Sequence, residues 1–585
     1  MRWVVHADDG AAGRLAPLAE AERGGGGADG ARARAGGSFA VGEVRRVADL
    51  CAAIRELETI AAAETEARSQ PRWIWADTTK IYPDLLRAGV RVARCHDVVL
   101  VDEILAARAG QFGAPRTLGA AYARLHDLPV PDVGRLGAAH EAAGAEGPQQ
   151  EALFEPDDTG LPAEVDPLSA LIEVYQAQLT ALESAQSPAL RLLAAAESAG
   201  ALAAAEMTHA GLPLDPQLHA ENLTELLGPQ SPYGSGPASR PAKLQDLAER
   251  LGKAIGTPSL NPDSPAQVLK ALSLAGLPAA TTRAWELRRM EHPAVPLLLE
   301  YKELSRLYTA NGWAWLRAWV RGGRFRPEYV VGGVVTGRWA SRGGGALQLP
   351  AMVRKAVVAD PGWTFVVADA GQLEPRVLAA ISADRGLAGA AQAEDLYTEL
   401  GDVFGGDRTK AKLGLLGAMY GQTSGEVGPL LATLRRRFPA AIGFVDDAAK
   451  AGVEGRIVHT QLGRACPPPS ARWNRLVAGS EGETRADQVR NSRGRFTRNF
   501  VVQGSAAEWA LSLIAMLRGK LSGLSSELVF FLHDEVVLHC PESEAEQVRE
   551  AVTASAAEAS RLVFGATPVR FPLHLATVRC YADAK

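Results

Sequence analysis

The run Leu528-Val-Phe-Phe-Leu-His533-Asp534-Glu535-Val-Val-Leu-His-Cys540 sets two adjacent acids in an almost wholly apolar stretch. Its pattern predicts two paired β-strands with the acids at or beside their turn. Burying two carboxylates costs several kcal/mol unless a partner compensates, and a divalent cation is a natural one. Acids also simply mark hairpin turns, so this segment alone leaves both readings open. A second segment, Gly362-Trp-Thr-Phe-Val-Val-Ala-Asp369, is an apolar strand ending on an acid, with a helix beginning a few residues later. Asp369 is either a rigidly held metal ligand or a helix cap. A third places Arg408, Lys412, Leu416 and Tyr420 at helical spacing on one slowly turning face. Two cations, an apolar residue and an aromatic suit a nucleotide, phosphates at one end and sugar and base at the other. The alternative is an amphipathic helix with solvated cations. Gly417 and Gly421 argue against it, since glycine within a helix costs roughly 1 kcal/mol and usually admits a close approach. In a fourth, Arg495, Asn499 and Gln503 form a polar stripe whose amides can contact base edges.

These residues need elements to hold them, and a chain of 585 residues has room for two or more domains. Its 47% hydrophobic and 22% charged residues are ordinary for a globular protein. The formal net charge of −5 means that a polyanion must find a local basic surface. Two such surfaces are suggested by Arg317, Arg321, Arg324, Arg326, Arg338 and Arg342, and by Arg485, Arg490, Arg493, Arg495 and Arg498. Five scattered cysteines without a paired motif suit a reduced, cytoplasmic setting. Residues 1–10 read as a strand and turn instead of a secretory signal, and no uninterrupted apolar run looks long enough to span a membrane. Residues 22–37 read as a flexible Gly/Ala-rich loop, and 137–166 as a linker. Between them, strand 71–76, helix 82–88 and strand 90–95 suggest a small α/β domain. Residues 168–210 are strongly helical, and 213–310 continue as helices, one starting at Asn261-Pro-Asp-Ser-Pro265.

Taken together, the segments resemble the polymerase portion of bacterial DNA polymerase I, the family A DNA polymerases, from about residue 190 onward. Asp369 to Arg376 resembles the family's D-Y-S-Q-I-E-L-R motif. Asp407 to Gly421 resembles its Arg-Lys-Tyr-Gly helix, and His533-Asp534-Glu535 its third motif. Thr336-Gly337-Arg338-Trp-Ala-Ser341 and Leu347-Gln348-Leu-Pro350 resemble two further stretches. The resemblance implies a multidomain α/β and α+β chain. An RNase H-like, exonuclease-type α/β domain would be followed by a right-hand domain of palm, fingers and thumb. The expected division is 1–136 exonuclease-like, 137–166 linker, 167–190 helical connection and 191–585 polymerase. Within the last, the thumb is expected over 200–330, the palm over 331–395 and 500–585, and the fingers over 396–499.

The implied activity is template-directed extension of a DNA primer with deoxynucleoside triphosphates, serving repair or gap filling. Asp369 and Asp534 would hold two Mg²⁺ ions, with Mn²⁺ as a substitute, and Glu535 would assist. Arg408 and Lys412 would grip the triphosphate, with Lys412 acting in the chemical step. Leu416, Tyr420 and Gln372 would complete the nucleotide pocket, and Glu374 would crowd the sugar 2′ position. Arg338, Gln503 and His533 would contact the primer terminus, and Arg495 and Asn499 the template or duplex. A monomer acting on primer–template DNA away from membranes, at the bacterial nucleoid, is expected.

The sequence departs from the family at Ala370-Gly371, where the pattern has Tyr-Ser, at Pro375 after Glu374, and at Leu416 in place of an aromatic. These departures imply a reshaped nucleotide pocket. Proofreading in the family needs four carboxylates, two of them as Asp-x-Glu on an early strand, and residues 1–70 hold no such pair. Asp77, Asp97, Asp102 and Asp166 are candidates without a complete set. An inactive, structural exonuclease-like domain is therefore expected, with no 5′-nuclease activity.

Overall fold

The computed structural model describes residues 1–8, 10–20, 39–63, 70–131, 160–184, 188–230, 240–345, 349–422, 427–479 and 483–584. The 22–37 loop, most of the 137–166 segment, and Leu347-Gln348 lie outside the described residues.

The amino-terminal sheet is built from β1 (Arg2–Ala7), β2 (Gly13–Glu20), β3 (Phe39–Val41), β4 (Arg45–Val47), β5 (Arg72–Trp75) and β6 (Arg94–Asp97). Its order is β3-β2-β1-β5-β6, with β4 also on β2; β1, β5 and β6 run parallel. Both faces are covered, which is why its central strands read as continuous apolar runs. Trp3, Trp73 and Trp75 pack with helices Leu50–Ala63 and Thr78–Arg87, while Val4 and Ile74 meet helix Pro167–Ser184 on the other face.

The expected helix at 82–88 begins earlier, at Thr78, because Asp77 caps it through the Thr79 N–H at 2.8 Å. The expected strand 90–95 begins later, at Arg94. Gly89, at φ 73°, ends the helix, and the Val90 N–H turns back to the Leu85 carbonyl at 2.8 Å, so Val90 serves as buried packing.

The helical stretch 168–210 is two helices, Pro167–Ser184 and Pro188–Ala210. The second joins both halves of the molecule. Its Leu202 packs among the amino-terminal tryptophans, and a Cβ on its Gly200 would lie 2.4 Å from Leu511. A boundary at residue 190 therefore falls inside one helix.

Short strands follow. Strands β7 (Leu212–Pro213), β8 (Val320–Arg321) and β9 (Arg324–Phe325) form one ribbon, and β10 (Glu328–Val330) and β11 (Ala340–Arg342) form another. The second large sheet is antiparallel, in the order β13 (Glu527–Leu532), β14 (Glu535–Pro541), β12 (Trp363–Ala370), β15 (Leu573–Val578). Against it lies the 38-residue helix Glu483–Lys520, whose Phe500, Trp509 and Ile514 are fully buried. By length and composition this helix could cross a membrane, although Gln503, Glu508 and Arg518 interrupt its apolar sequence. Of its most apolar window, however, 78% is buried inside the fold, as in a core helix.

Candidate active site

Central strand β12 carries Asp369 next to its end, directly opposite Glu535 of β14 on one side and His574 of β15 on the other. Strands β13 and β14 are joined through His533 and Asp534, with Leu532 paired to Glu535. His533 takes the left-handed conformation (φ 61°) that so tight a turn requires. The Ala370 N–H donates to the Asp534 carbonyl at 3.1 Å, stitching the turn onto β12. The two readings of Asp534 are thus compatible: it sits in a hairpin turn, and that turn brings it beside Asp369. Asp369 is no helix cap. The next helix, Leu373–Ser382, begins after Gln372, which holds a left-handed conformation and makes no side-chain cap.

Glu535 is buried, at 2% exposure, and takes a hydrogen bond from the Tyr581 hydroxyl, with the Arg354 guanidinium 3.8 Å away. Arg354 also lies over the Tyr581 ring, 4.5 Å from its centroid. Burial, then the charge of Glu535, pushes the Tyr581 hydroxyl above its ordinary value; Asp369 contributes, so this cluster reaches the metal-candidate carboxylate.

Behind β12, Arg376 is fully buried and donates to five carbonyls: Gly371, Ala391, Arg570, Ala393 and Glu394, at 2.6–3.0 Å. It ties the end of β12 to the segment carrying Asp395. Gln372 continues the link, donating to Asp395 at 2.9 Å and accepting from the Leu396 N–H at 2.8 Å. Arg408 in turn donates to Asp395 at 2.9 Å and lies over the Tyr397 ring. Burial opposes ionisation of Asp395, but the Thr398 N–H, the Gln372 amide and Arg408 outweigh it and hold its carboxyl down to about 2.

The Arg408–Tyr420 helix forms as expected, capped by Asp407 through the Thr409 and Lys410 N–H groups. Lys412 is exposed and makes no ion pair among the described residues, while Leu416 is half-buried against the core. Gly417 does admit close approach, since a Cβ there would lie 2.5 Å from Val427. Gly421 has a different reason: it is the left-handed residue that ends the helix (φ 70°) and lies against Arg495.

Glu374 joins two of the segments, accepting from the Tyr420 hydroxyl at 2.6 Å and pairing with Arg338. Arg338, Glu374, Gln503, His533 and Asp534 line one cleft of about 590 Å³. Burial, then Arg338, pulls the His533 imidazole below its ordinary value. Arg495 and Asn499 share the helix of Gln503 but do not line this cleft. Beneath it, Arg464 pairs with buried Glu197 and packs under Gly337, whose Cβ would lie 2.5 Å from the Arg464 Nε.

The donor set suits a hard divalent cation, because Asp369 and Asp534 offer carboxylate oxygens from rigid, adjoining backbone. Gly371 also has a structural cause. A Cβ there would lie 2.8 Å from His574 Nε2, so the serine of the family pattern would have to displace this imidazole.

The model of DNA polymerase family A matches residues 238–577, more than half of the chain. The chain belongs to DNA polymerase family A. As a family A polymerase chain it is similar to the thermostable DNA polymerase I of Thermus filiformis, at 29% identity over 297 residues, 46% of this chain and 34% of that protein. The thermostable DNA polymerase I of Thermus thermophilus is 28% identical over 375 residues, 57% of this chain and 43% of that protein. The chain thus spans less than half the length of these curated relatives. In fold it is similar to the polymerase domain of Pol1 from M. smegmatis, solved with DNA primer–template and dNTP. That match has a TM-score of 0.69 at 20% identity and covers 99% of this chain and 95% of that one. The likeness in fold therefore extends through the amino-terminal α/β sheet.

In that amino-terminal part the four candidate carboxylates do local structural work. Asp77 caps one helix, and Asp97 caps another through the Leu100 N–H while accepting from the Thr78 N–H at 2.7 Å. Asp102 pairs with Arg124, and Asp166 binds Arg14 and Ser169. Sequence reasoning missed Asp395, Tyr397, Arg354 and Tyr581. Asp395 carried a signal, an acid three residues before Thr398 at a helix start, but its partner Arg408 lies on another helix.

Proposed function

We propose that this family A chain is a template-directed DNA polymerase that extends a primer 3′ end with deoxynucleoside triphosphates. The observation that carries it is the stitching of the Asp534 turn onto the end of the strand that bears Asp369, with Asp534 on the cleft that Glu374, Arg338 and Gln503 line. Asp369 and Asp534 would hold two Mg²⁺ ions, or Mn²⁺, which when bound activate the primer hydroxyl and stabilise the leaving pyrophosphate.

The chain's own residues do the rest. Lys412, exposed on its helix, binds the triphosphate as a point charge and neutralises charge that develops during transfer. Arg408 offers a bidentate fork to the same phosphates, and Asp395 holds that fork ready. Glu374, fixed by Tyr420 and Arg338, occupies the space that a ribose 2′-hydroxyl would need. Gln503, Arg338 and the neutral imidazole of His533 read the primer terminus, and Arg495 and Asn499 follow the duplex. Leu416 leaves the sugar-facing wall aliphatic. Glu535 orders the site from below through Tyr581 and Arg354.

The antiparallel sheet with the second half of the long helix forms the palm, 331–395 and 500–585. The fingers span 396–499 and the thumb 200–330. The amino-terminal domain is exonuclease-like and structural, because its candidate carboxylates serve caps and ion pairs. The setting is repair or gap filling by a monomer on cytoplasmic DNA.

Primer extension with each nucleotide type tests the reading. Extension by deoxynucleotides and little by ribonucleotides is expected; preferential ribonucleotide use would make it an RNA polymerase. Binding of primer–template with no extension would leave a non-catalytic relative. A mismatched 3′ end incubated with Mg²⁺ or Mn²⁺ and no nucleotide should stay intact; trimming would contradict the inactive exonuclease.

A further inference from the structure

Two residues assigned above to the primer terminus stand beside glycines that pack on one turn: Arg338 follows Gly337, and Gln503 precedes Gly504. A Cβ on Gly504 would lie 2.4 Å from Thr460 Cγ2 and 3.3 Å from the Thr336 carbonyl oxygen. A Cβ on Gly337 would lie 2.5 Å from Arg464 Nε and 2.9 Å from its Cζ. Gly337 also takes a left-handed conformation (φ 82°) that closes its loop. Its N–H donates to the Val334 carbonyl at 2.7 Å, and the Val334 N–H donates to the Arg338 carbonyl at 3.1 Å. At these two points the long helix and the 334–338 loop present bare backbone to the turn 460–464.

The turn is tied down from several sides. Within it, the Thr460 N–H donates to the Arg464 carbonyl at 3.0 Å, and the Arg464 N–H to the Thr460 hydroxyl at 2.9 Å. On the long helix, buried Glu508 accepts from the Thr460 hydroxyl and from the Leu462 N–H at 2.8 Å. One turn earlier, Ser505 Oγ accepts from the Gln461 N–H at 2.9 Å. On helix Pro188–Ala210, buried Glu197 pairs with the Arg464 guanidinium. Leu462 packs with Val101 and Ile104, so the amino-terminal domain braces the tip of the turn. Burial pushes the Glu508 carboxyl up to about 7, against the Thr460 hydroxyl, the Leu462 N–H and Arg464, while Glu197 adds to the rise.

We propose that Thr460 and Arg464 are positioning residues for the primer terminus: their turn sets Gln503 through Gly504 and Arg338 through Gly337. The inference rests on the polymerase reading above. Neither side chain lines the cleft, so each acts through the backbone packed upon it. Because Arg338 pairs with Glu374, a displaced loop also moves the partner of that carboxylate.

The test uses the whole chain as wild type, Gly504→Ala, Gly504→Ala with Thr460→Ser, and Arg464→Lys. Alanine suits a helix better than glycine, so Gly504→Ala perturbs the packing against Thr460 and residue 336 and not the helix itself. Thr460→Ser keeps the hydroxyl that Glu508 and the Arg464 N–H use, and removes the methyl in the way. Arg464→Lys keeps the charge beside Glu197 but not the flat guanidinium under Gly337. Extension from a matched and from a 3′-mismatched primer end is compared, together with primer–template affinity. Contacts to base edges favour a correctly paired terminus, so each single variant should shrink the matched-to-mismatched ratio about fivefold or more, the order of one hydrogen bond. Adding Thr460→Ser to Gly504→Ala should bring the ratio back to within about twofold of wild type. Simple destabilisation would lower both extension rates alike and leave the ratio unchanged. Hydrogen exchange at the Val334 and Gly337 amides reads the loop without catalysis and should quicken about tenfold in either single variant.

An unchanged ratio in either single variant, or equal shrinkage with and without Thr460→Ser, would overturn the proposal. The Gly504→Ala pair decides alone if Arg464→Lys does not fold. Wild type that extends neither primer would refute the polymerase reading instead; unchanged exchange in the single variants would then overturn this one as well.

Discussion

Replacing Arg376 by lysine separates charge from geometry behind the candidate site. The buried guanidinium makes five hydrogen bonds, to carbonyls on the end of β12, on the 391–394 segment and at Arg570. A lysine has three donors on a point charge and cannot match a planar fork, so at least two of the five carbonyls lose their partner. Each bond to a charged group contributes about 1.5–3 kcal/mol, which puts the loss of two at about 3–6 kcal/mol. The chain is multidomain, so a single melting midpoint is the wrong readout. Hydrogen exchange resolves local opening instead. The amides of Leu396, Thr398 and Arg570 bond within this network, and in Arg376→Lys they should exchange about 10²-fold faster or more. Because the same segment holds Asp395 against Arg408, the KM for the incoming nucleotide should rise more than kcat falls. Exchange within threefold of wild type at all three amides would refute the assigned role of Arg376.

Other consequences follow from the same geometry. Glu374→Ala should raise ribonucleotide incorporation relative to deoxynucleotide, while Tyr420→Phe, which keeps the carboxylate but frees one of its oxygens, should do so less; competition assays with paired nucleotides measure both. Gly371→Ser should destabilise the sheet edge by about 1–3 kcal/mol through its clash with His574, and His574→Ala should restore it, as differential hydrogen exchange of β15 amides would report. Asp395, held down to about 2, contributes stability that is present above the unfolded carboxyl value and is lost as pH falls through 2. Because this carboxylate is largely solvent-screened the contribution is below about 1 kcal/mol, and Asp395→Asn should remove that acid-side slope from local unfolding between about pH 4 and 2.

The strand endings, the cationic helix and the polar stripe were legible because each is a local pattern. Continuous apolar runs interrupted by acids placed Asp369 and the 528–540 hairpin, and four-residue spacing placed Arg408 to Tyr420. The links among them were not legible, because they cross between elements. Nothing in the chain near Glu535 announces Tyr581, and nothing near Arg408 announces Asp395. Gly371 read as a departure from a pattern until His574, on a strand far along the chain, supplied its steric reason. Helix Pro188–Ala210 blurred the expected domain boundary for a related cause. An alanine-rich helix apolar on several faces can serve two cores at once, and composition does not say which. Thr460 and Arg464 are the extreme case, since only the folded chain brings them against Gly504 and Gly337.

The central claim is that Asp369 and Asp534 act together on a bound metal pair. Its most direct test is single-turnover incorporation of one deoxynucleotide by wild type, Asp369→Ala and Asp534→Ala, alongside primer–template affinity. Each variant should lose incorporation by several orders of magnitude while keeping DNA affinity within about tenfold, since the carboxylates lie outside the cationic contacts that dominate binding. Incorporation by either variant at the wild-type rate would contradict the claim.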